Sequence, residues 1–359
     1  MPDDLALPSA YAELIAELAR PVTGRIEKTF GDRWIVRDAE DGLLLLAPDL
    51  SVVARFPIPG RFVESGWFNH DISPDGRFAS FAGTRHTVCV RADGSTVWEV
   101  RHPALGDVDG DDVPACAVFA PGGAELWAFV PVPDEEWDED ADVTYTARRW
   151  VIALPDGVVT GTSPSYYQGP HKVLIHPDGR HVSSAEFDGS SDDGRWTRWD
   201  ADGQPTTPAR GFAVPLDAHA ETATWLANAF GTLRLHDFGP SDDDNAARDP
   251  RVESSASSFL WAWFLDRGRV LALSDTEPHH VLLTADTLEP LARIHYPDSY
   301  DSADHVHLCR AGDGTWVTVT SRVADDPPRV CRWRVTNPAK DAARESALSA
   351  TEARGGPQG

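Results

Sequence analysis

Apolar and polar positions alternate along most of this chain in runs of five to eight residues, the period of strands with one or both faces covered. The runs come in pairs hinged on one phrase: ISPDGRFASFAG (72–83), FAPGGAELWAFV (119–130) and IHPDGRHVSSAEF (175–187) each read strand, Pro-x-Gly turn, strand. Looser copies are TFGDRWIVRD (29–38), VPLDAHAETATWLANA (214–229), FLDRGRVLALS (264–274) and CRAGDGTWVTVTS (309–321). Turn positions at Gly31, Gly76, Gly123, Gly179, about His219, Gly268 and Gly314 are spaced 45, 47, 56, 40, 49 and 46 residues apart. That period suits four-stranded propeller blades and exceeds that of short solenoid repeats.

Each pair is followed by two more short apolar runs, as in LLLLAPDLSVVARF (43–56), TVCVRADGSTVWEV (87–100) and RRWVIALPDGVVTG (148–161). Gly and Asp at the turns supply the positive backbone dihedrals that tight hairpins need. The expected fold class is therefore all-β: a seven-bladed β-propeller of four-stranded antiparallel blades over residues 24–337. Trp98, Trp127, Trp150, Trp225, Trp261, Trp263, Trp316 and Trp333 fall on strand runs and are expected to wedge between blades.

The Ser-Pro-Asp-Gly-Arg phrase at 73–77 resembles that of the bacterial WD40-like and YVTN-type seven-bladed propellers. The resemblance implies the fold. The eukaryotic Gly-His and Trp-Asp signature is absent apart from Trp199-Asp200, so that family's His and Asp network is not carried over.

Two segments lie outside the repeat. Leu14, Ile15 and Leu18 fall on one stripe behind Ser9, predicting a short amphipathic helix over 9–20 within an N-terminal segment 1–23. Residues 338–359 read as a polar tail. The last blade has three strand runs, at 305–310, 315–321 and 329–335; its fourth is either borrowed from residues 2–8 or missing.

Charge narrows the functional classes. The 32 Lys and Arg against 57 Asp and Glu leave a net charge of −25, which repels polyanions and argues against nucleic acid as a partner. No apolar run approaches the length of a membrane span, and the acidic start does not resemble a signal peptide; a cytoplasmic protein without membrane attachment is expected. The four cysteines form no C-x-x-C pair and read as buried apolar groups. Motifs for a nucleophile elbow, P-loop, dinucleotide fold or zinc protease are absent.

In a propeller the d-to-a and b-to-c connections share one face. Long acidic segments are expected there: 101–112, 133–142, 187–194, 239–250, 274–280, 297–305 and 323–328. Such a face suits a basic protein or peptide, making a non-catalytic recognition scaffold the first functional reading. The rival is a metal-assisted hydrolase, lactonase or oxygenase. Asn69, His70, Asp71, His171, Asp304, His305 and His307 stand where innermost strands begin, and converging imidazoles there would form an N/O site for a divalent metal ion, as in propeller oxygenases of the carotenoid-cleaving type. His279 and His280 are expected to be exposed on a loop. Asp107, Asp109 and Asp111 in GDVDGDDVPA look like a calcium loop of the FG-GAP type, although Asp112 replaces its glycine and Ala115 its last acid. No cofactor is firmly implied.

Overall fold

The computed structural model describes residues 7–29, 33–65, 68–103, 114–131, 147–154, 156–165, 172–175, 182–187, 194–199, 205–211, 214–219, 224–229, 231–237, 250–257, 259–274, 280–297, 300, 307–310, 313–320 and 327–336. The protein is all-β. After β1 (Ser9–Glu17), a four-stranded antiparallel sheet is built from β2 (Val22–Thr29), β3 (Arg33–Asp38), β4 (Gly42–Leu46) and β5 (Val52–Pro57). A short helix, α1 (Gly60–Ser65), leads to the second sheet: β6 (Asn69–Ile72), β7 (Phe78–Ala82), β8 (His86–Arg91) and β9 (Thr96–Arg101). The third is β10 (Cys116–Phe119), β11 (Glu125–Pro131), β12 (Ala147–Ala153) and β13 (Val159–Ser165). The fourth is β14 (Lys172–Ile175), β15 (Val182–Phe187), β16 (Gly194–Trp199) and β17 (Pro205–Gly211). The fifth is β18 (Val214–His219), β19 (Thr224–Ala229), β20 (Thr232–Asp237) and β21 (Val252–Ser257).

The remaining strands share one eight-stranded sheet. Its first half is β22 (Phe259–Asp266), β23 (Arg269–Ser274), β24 (His280–Thr284) and β25 (Pro290–His295); its second half is β26 (His307–Arg310), β27 (Thr315–Thr320) and β28 (Arg329–Thr336). Between the halves lies β1, parallel to β25 and antiparallel to β28.

This placement corrects the expected N-terminal helix: Ser9–Glu17 is a strand. Its alternation is hidden because the inward residues are small. Ala10 and Ala12 are buried against Trp316 and Trp333, while Tyr11, Glu13 and Ile15 point away. The missing fourth strand of the last run is therefore supplied by residues 9–17, downstream of the 2–8 expected. The polar tail lies outside the described residues.

Turn chemistry sets the strand register. In Ser73–Arg77, the Gly76 amide donates to the Ser73 carbonyl at 2.8 Å, and the Ser73 hydroxyl accepts from the Phe78 amide at 3.0 Å. Gly76 takes φ 74° there. Two related turns use leucine instead. Leu50 (φ 65°) and Leu288 (φ 55°) accept the left-handed conformation and place their side chains in the core.

Apolar burial runs between sheets. One cluster joins Ile35, Leu45 and Phe56 of the first sheet to Ile72, Phe81 and Val90 of the second. The next joins Cys89 and Trp98 to Phe119, Leu126 and Ile152. Another joins Leu226 and Leu235 to Phe264 and Val270. The first sheet also meets the last strands: Trp34, Leu44 and Leu50 pack on Val317, Val319 and Val330, and β2 lies against β26. Trp98, Trp127, Trp225, Trp316 and Trp333 are buried as expected, whereas Trp261 is 39% exposed.

Candidate functional site

β6 sets the candidate residues on alternate sides. Asn69 and Asp71 face the third sheet, where the Asn69 side-chain amide donates to the Ala115 carbonyl at 2.9 Å. The Asp71 carboxylate accepts from the Phe119 amide at 2.7 Å and from the Ile72 amide at 2.8 Å. Burial pushes this carboxyl up to about 7, with the charge of Glu27 adding to the rise and the two amides opposing it. His70 faces the first sheet: its Nε2 lies 4.0 Å from the Glu27 carboxylate, and its ring sits beside Phe68.

The same pair of links recurs in the fifth sheet. Asp217 accepts from the Phe264 amide at 3.0 Å, and the Asn228 amide donates to the Phe259 carbonyl at 2.7 Å. Sequence reasoning passed over both residues. Their signal is a polar side chain within an inner strand run, legible only once the repeats are superposed.

The structure thus gives Asn69 and Asp71 backbone partners across a sheet boundary and leaves His70 on the other side of the strand. His307 opens β26 opposite Val319, with only its backbone described. His171, Asp304, His305, Asp107, Asp109 and Asp111 lie outside the described residues. Among the described residues, no three of His, Cys, Asp and Glu are grouped to hold a metal ion.

Other histidines are built into the packing. His102 meets the Thr87 hydroxyl at 2.8 Å and presents its ring to Trp150, and burial lowers its pKa to about 4. His236 stacks on Trp225 at 4.2 Å and is lowered to about 4, mainly by burial. His280, expected on an exposed loop, is fully buried at the start of β24, where Nδ1 meets the Tyr296 hydroxyl at 2.7 Å. Cys89, Cys116 and Cys331 are buried thiols, and burial pushes Cys89 up to about 12.

At the end of the sheets where β6 begins, the first two sheets carry a belt of ion pairs. Arg37 meets Asp41 at 2.7 Å, Arg55 meets Asp38 at 2.7 Å, and Arg20 lies 3.9 Å from Glu40. Burial raises the Asp38 carboxyl, but Arg55 and the amides of Gly42 and Glu40 outweigh it and hold the group below its ordinary range. Arg61 on α1 grips Glu99 with both terminal nitrogens at 2.7 Å.

Strand order sorts the acidic segments. Those at 101–112, 133–142, 187–194, 274–280, 297–305 and 323–328 join strands at the end where first strands begin. The segment 239–250 does not, because it links β20 to β21, the third and fourth strands of their sheet, and so belongs to the opposite end. Compared with protein-family models and with curated proteins, the chain matches none.

Proposed function

We propose that the sheets are the blades of a seven-bladed β-propeller, and that it works as a non-catalytic scaffold taking a basic protein or peptide on its acidic rim. Five four-stranded sheets plus the two halves of the eight-stranded sheet, with β1 as the last fourth strand, supply seven blades. The apolar clusters from the first sheet to the second, from the second to the third, from the fifth to β22–β25 and from β27 and β28 back to the first, with the contact of β2 with β26, are what a closed ring requires.

The observation that carries the functional reading is the use made of Asn69 and Asp71. Their polar groups are spent on the backbone of the neighbouring sheet, so two of the residues that would furnish a metal or acid–base site serve to join blades. Six acidic segments gathered at one end of a chain of net charge −25 then favour a cationic partner.

The test is titration of a fluorescent Lys/Arg-rich peptide into the protein at about 20 mM and about 300 mM salt, with elemental analysis of the same sample. Binding should weaken at least about tenfold at the higher salt. Absence of binding, salt-independent binding, or a stoichiometric transition metal would overturn the reading.

A further inference from the structure

Six arginines stand on the described part of the rim above the first two sheets, and four of them have acids: Arg20, Arg37, Arg55 and Arg61 are matched by Glu40, Asp41, Asp38 and Glu99. Arg85 and Arg101 are not matched. Both are exposed, and neither has an ion-pair or hydrogen-bond partner for its guanidinium among the described residues. They are held near each other by the backbone: the His102 amide donates to the Arg85 carbonyl at 2.8 Å, and Arg101 stands directly opposite His86 on the β8–β9 ladder.

His86 adds a third basic group. Its Nε2 lies 3.6 Å from Glu99, an acid already engaged by Arg61. Burial lowers the His86 pKa, Glu99 opposes that, and the charges of Arg61, Arg101 and Arg85 all push it further down, so these cations are close enough to feel one another. Among the described residues, the acid beside the group is Glu99.

We infer that the corner formed by Arg61, Arg85, His86 and Arg101 is a docking site for a short acidic peptide segment, a local basic patch at the same end of the sheets as the acidic segments proposed for a basic partner. Two free guanidiniums can each take a carboxylate in bidentate fashion, and Arg61 can add a third contact at the margin of its pair with Glu99. β9 is the last strand of its sheet and pairs with β8 alone among the described residues, and an extended segment could pair with its outer edge beside Glu99 and Arg101. A nucleic acid is the poorer occupant, because the net charge of −25 repels a long polyanion while a few carboxylates engage only the local field.

The experiment is fluorescence anisotropy with a labelled peptide of about eight residues rich in Glu and Asp, at about 20 mM salt. It compares the wild-type chain with the double variant Arg85→Glu/Arg101→Glu and with Arg77→Glu/Arg91→Glu, an equal change of net charge at exposed positions on the opposite end of the same sheet. Thermal melts of all three check folding. The expected result is saturable binding by the wild type, a loss of at least about tenfold in the Arg85/Arg101 variant and less than about threefold in the control. No binding by the wild type, equal losses in both variants, or tighter binding of a DNA oligonucleotide of matched charge would each overturn the inference.

Discussion

The buried carboxylate of Asp71 on β6 caps the Phe119 amide at the end of β10 at 2.7 Å, tying the second sheet to the third beside the link from Asn69 to the Ala115 carbonyl. Asp217 and Phe264 repeat the link between the fifth sheet and β22 at 3.0 Å. Asp71 is 8% exposed and serves two amides, so Asp71→Ala strands two buried donors. The expected loss is about 2–4 kcal/mol, against about 1–2 kcal/mol for the partly buried Asp217→Ala. Urea denaturation of the two variants checks the order; an equal or inverted order would deny the link its role.

Acid should act on Asp71 and His102 in opposite senses. The folded Asp71 carboxyl titrates near 7, above its ordinary 3.8, so between these values the folded state holds the extra proton and this site adds stability as pH falls. His102 titrates near 4 when folded, below its ordinary 6.5, so there the unfolded state holds the extra proton and stability is lost as pH falls. Urea midpoints measured between about pH 4 and pH 7 should fall more steeply on acidification in Asp71→Asn, and less steeply in His102→Gln, than in the wild type. Parallel profiles for all three proteins would contradict both assignments.

How much of this was readable beforehand follows from what the repeat repeats. The Pro-x-Gly turns announce themselves because Gly76 and Gly123 need a positive φ, and so the second and third sheets are legible at the level of individual strands. Leu50 and Leu288, in turns between third and fourth strands, take a left-handed conformation without glycine, and nothing in their residue type marks it. β1 misleads for a different reason: Ala10, Ala12 and Ala16 hide a two-residue period, leaving Leu14, Ile15 and Leu18 to suggest a helix. Asn69, His70 and Asp71 stand out in the sequence as polar residues at the start of a strand run, but which neighbour each one meets depends on packing between sheets, where alternation sends two of them toward one sheet and one toward another.

Glycines at the turns separate conformational need from steric need. Gly157 sits at φ 73°, and a Cβ there would fall 2.6 Å from the Trp98 side chain of the preceding sheet. Gly122 has an ordinary φ and open space around it. Gly157→Ala is therefore expected to cost about 2–4 kcal/mol, and Gly122→Ala to stay within about 0.5 kcal/mol of the wild type. Thermal unfolding distinguishes them, and a neutral Gly157→Ala would mean that Trp98 does not pack under that turn.

The sharpest prediction concerns β1, because this strand lies between two halves of a sheet whose other strands are all far from it in sequence. Glu17 lies between Arg329 at 2.9 Å and the Tyr300 hydroxyl at 3.2 Å, and its side chain is only 16% exposed. Glu13 also binds an arginine, Arg334, at 2.7 Å, but both partners are about half exposed. Surface pairs contribute little, whereas removing one member of a sheltered pair leaves the other poorly solvated. Glu13→Ala should therefore cost less than about 1 kcal/mol and Glu17→Ala about 1–3 kcal/mol. Deleting residues 1–17 goes further, since it opens the edges of β25 and β28 and uncovers Trp316 and Trp333. The truncated chain should lose its cooperative melt and regain it when a synthetic peptide of residues 7–20 is added. A peripheral helix would predict the reverse: a nearly unchanged melt after truncation, no rescue by the peptide, and no difference between Glu13 and Glu17.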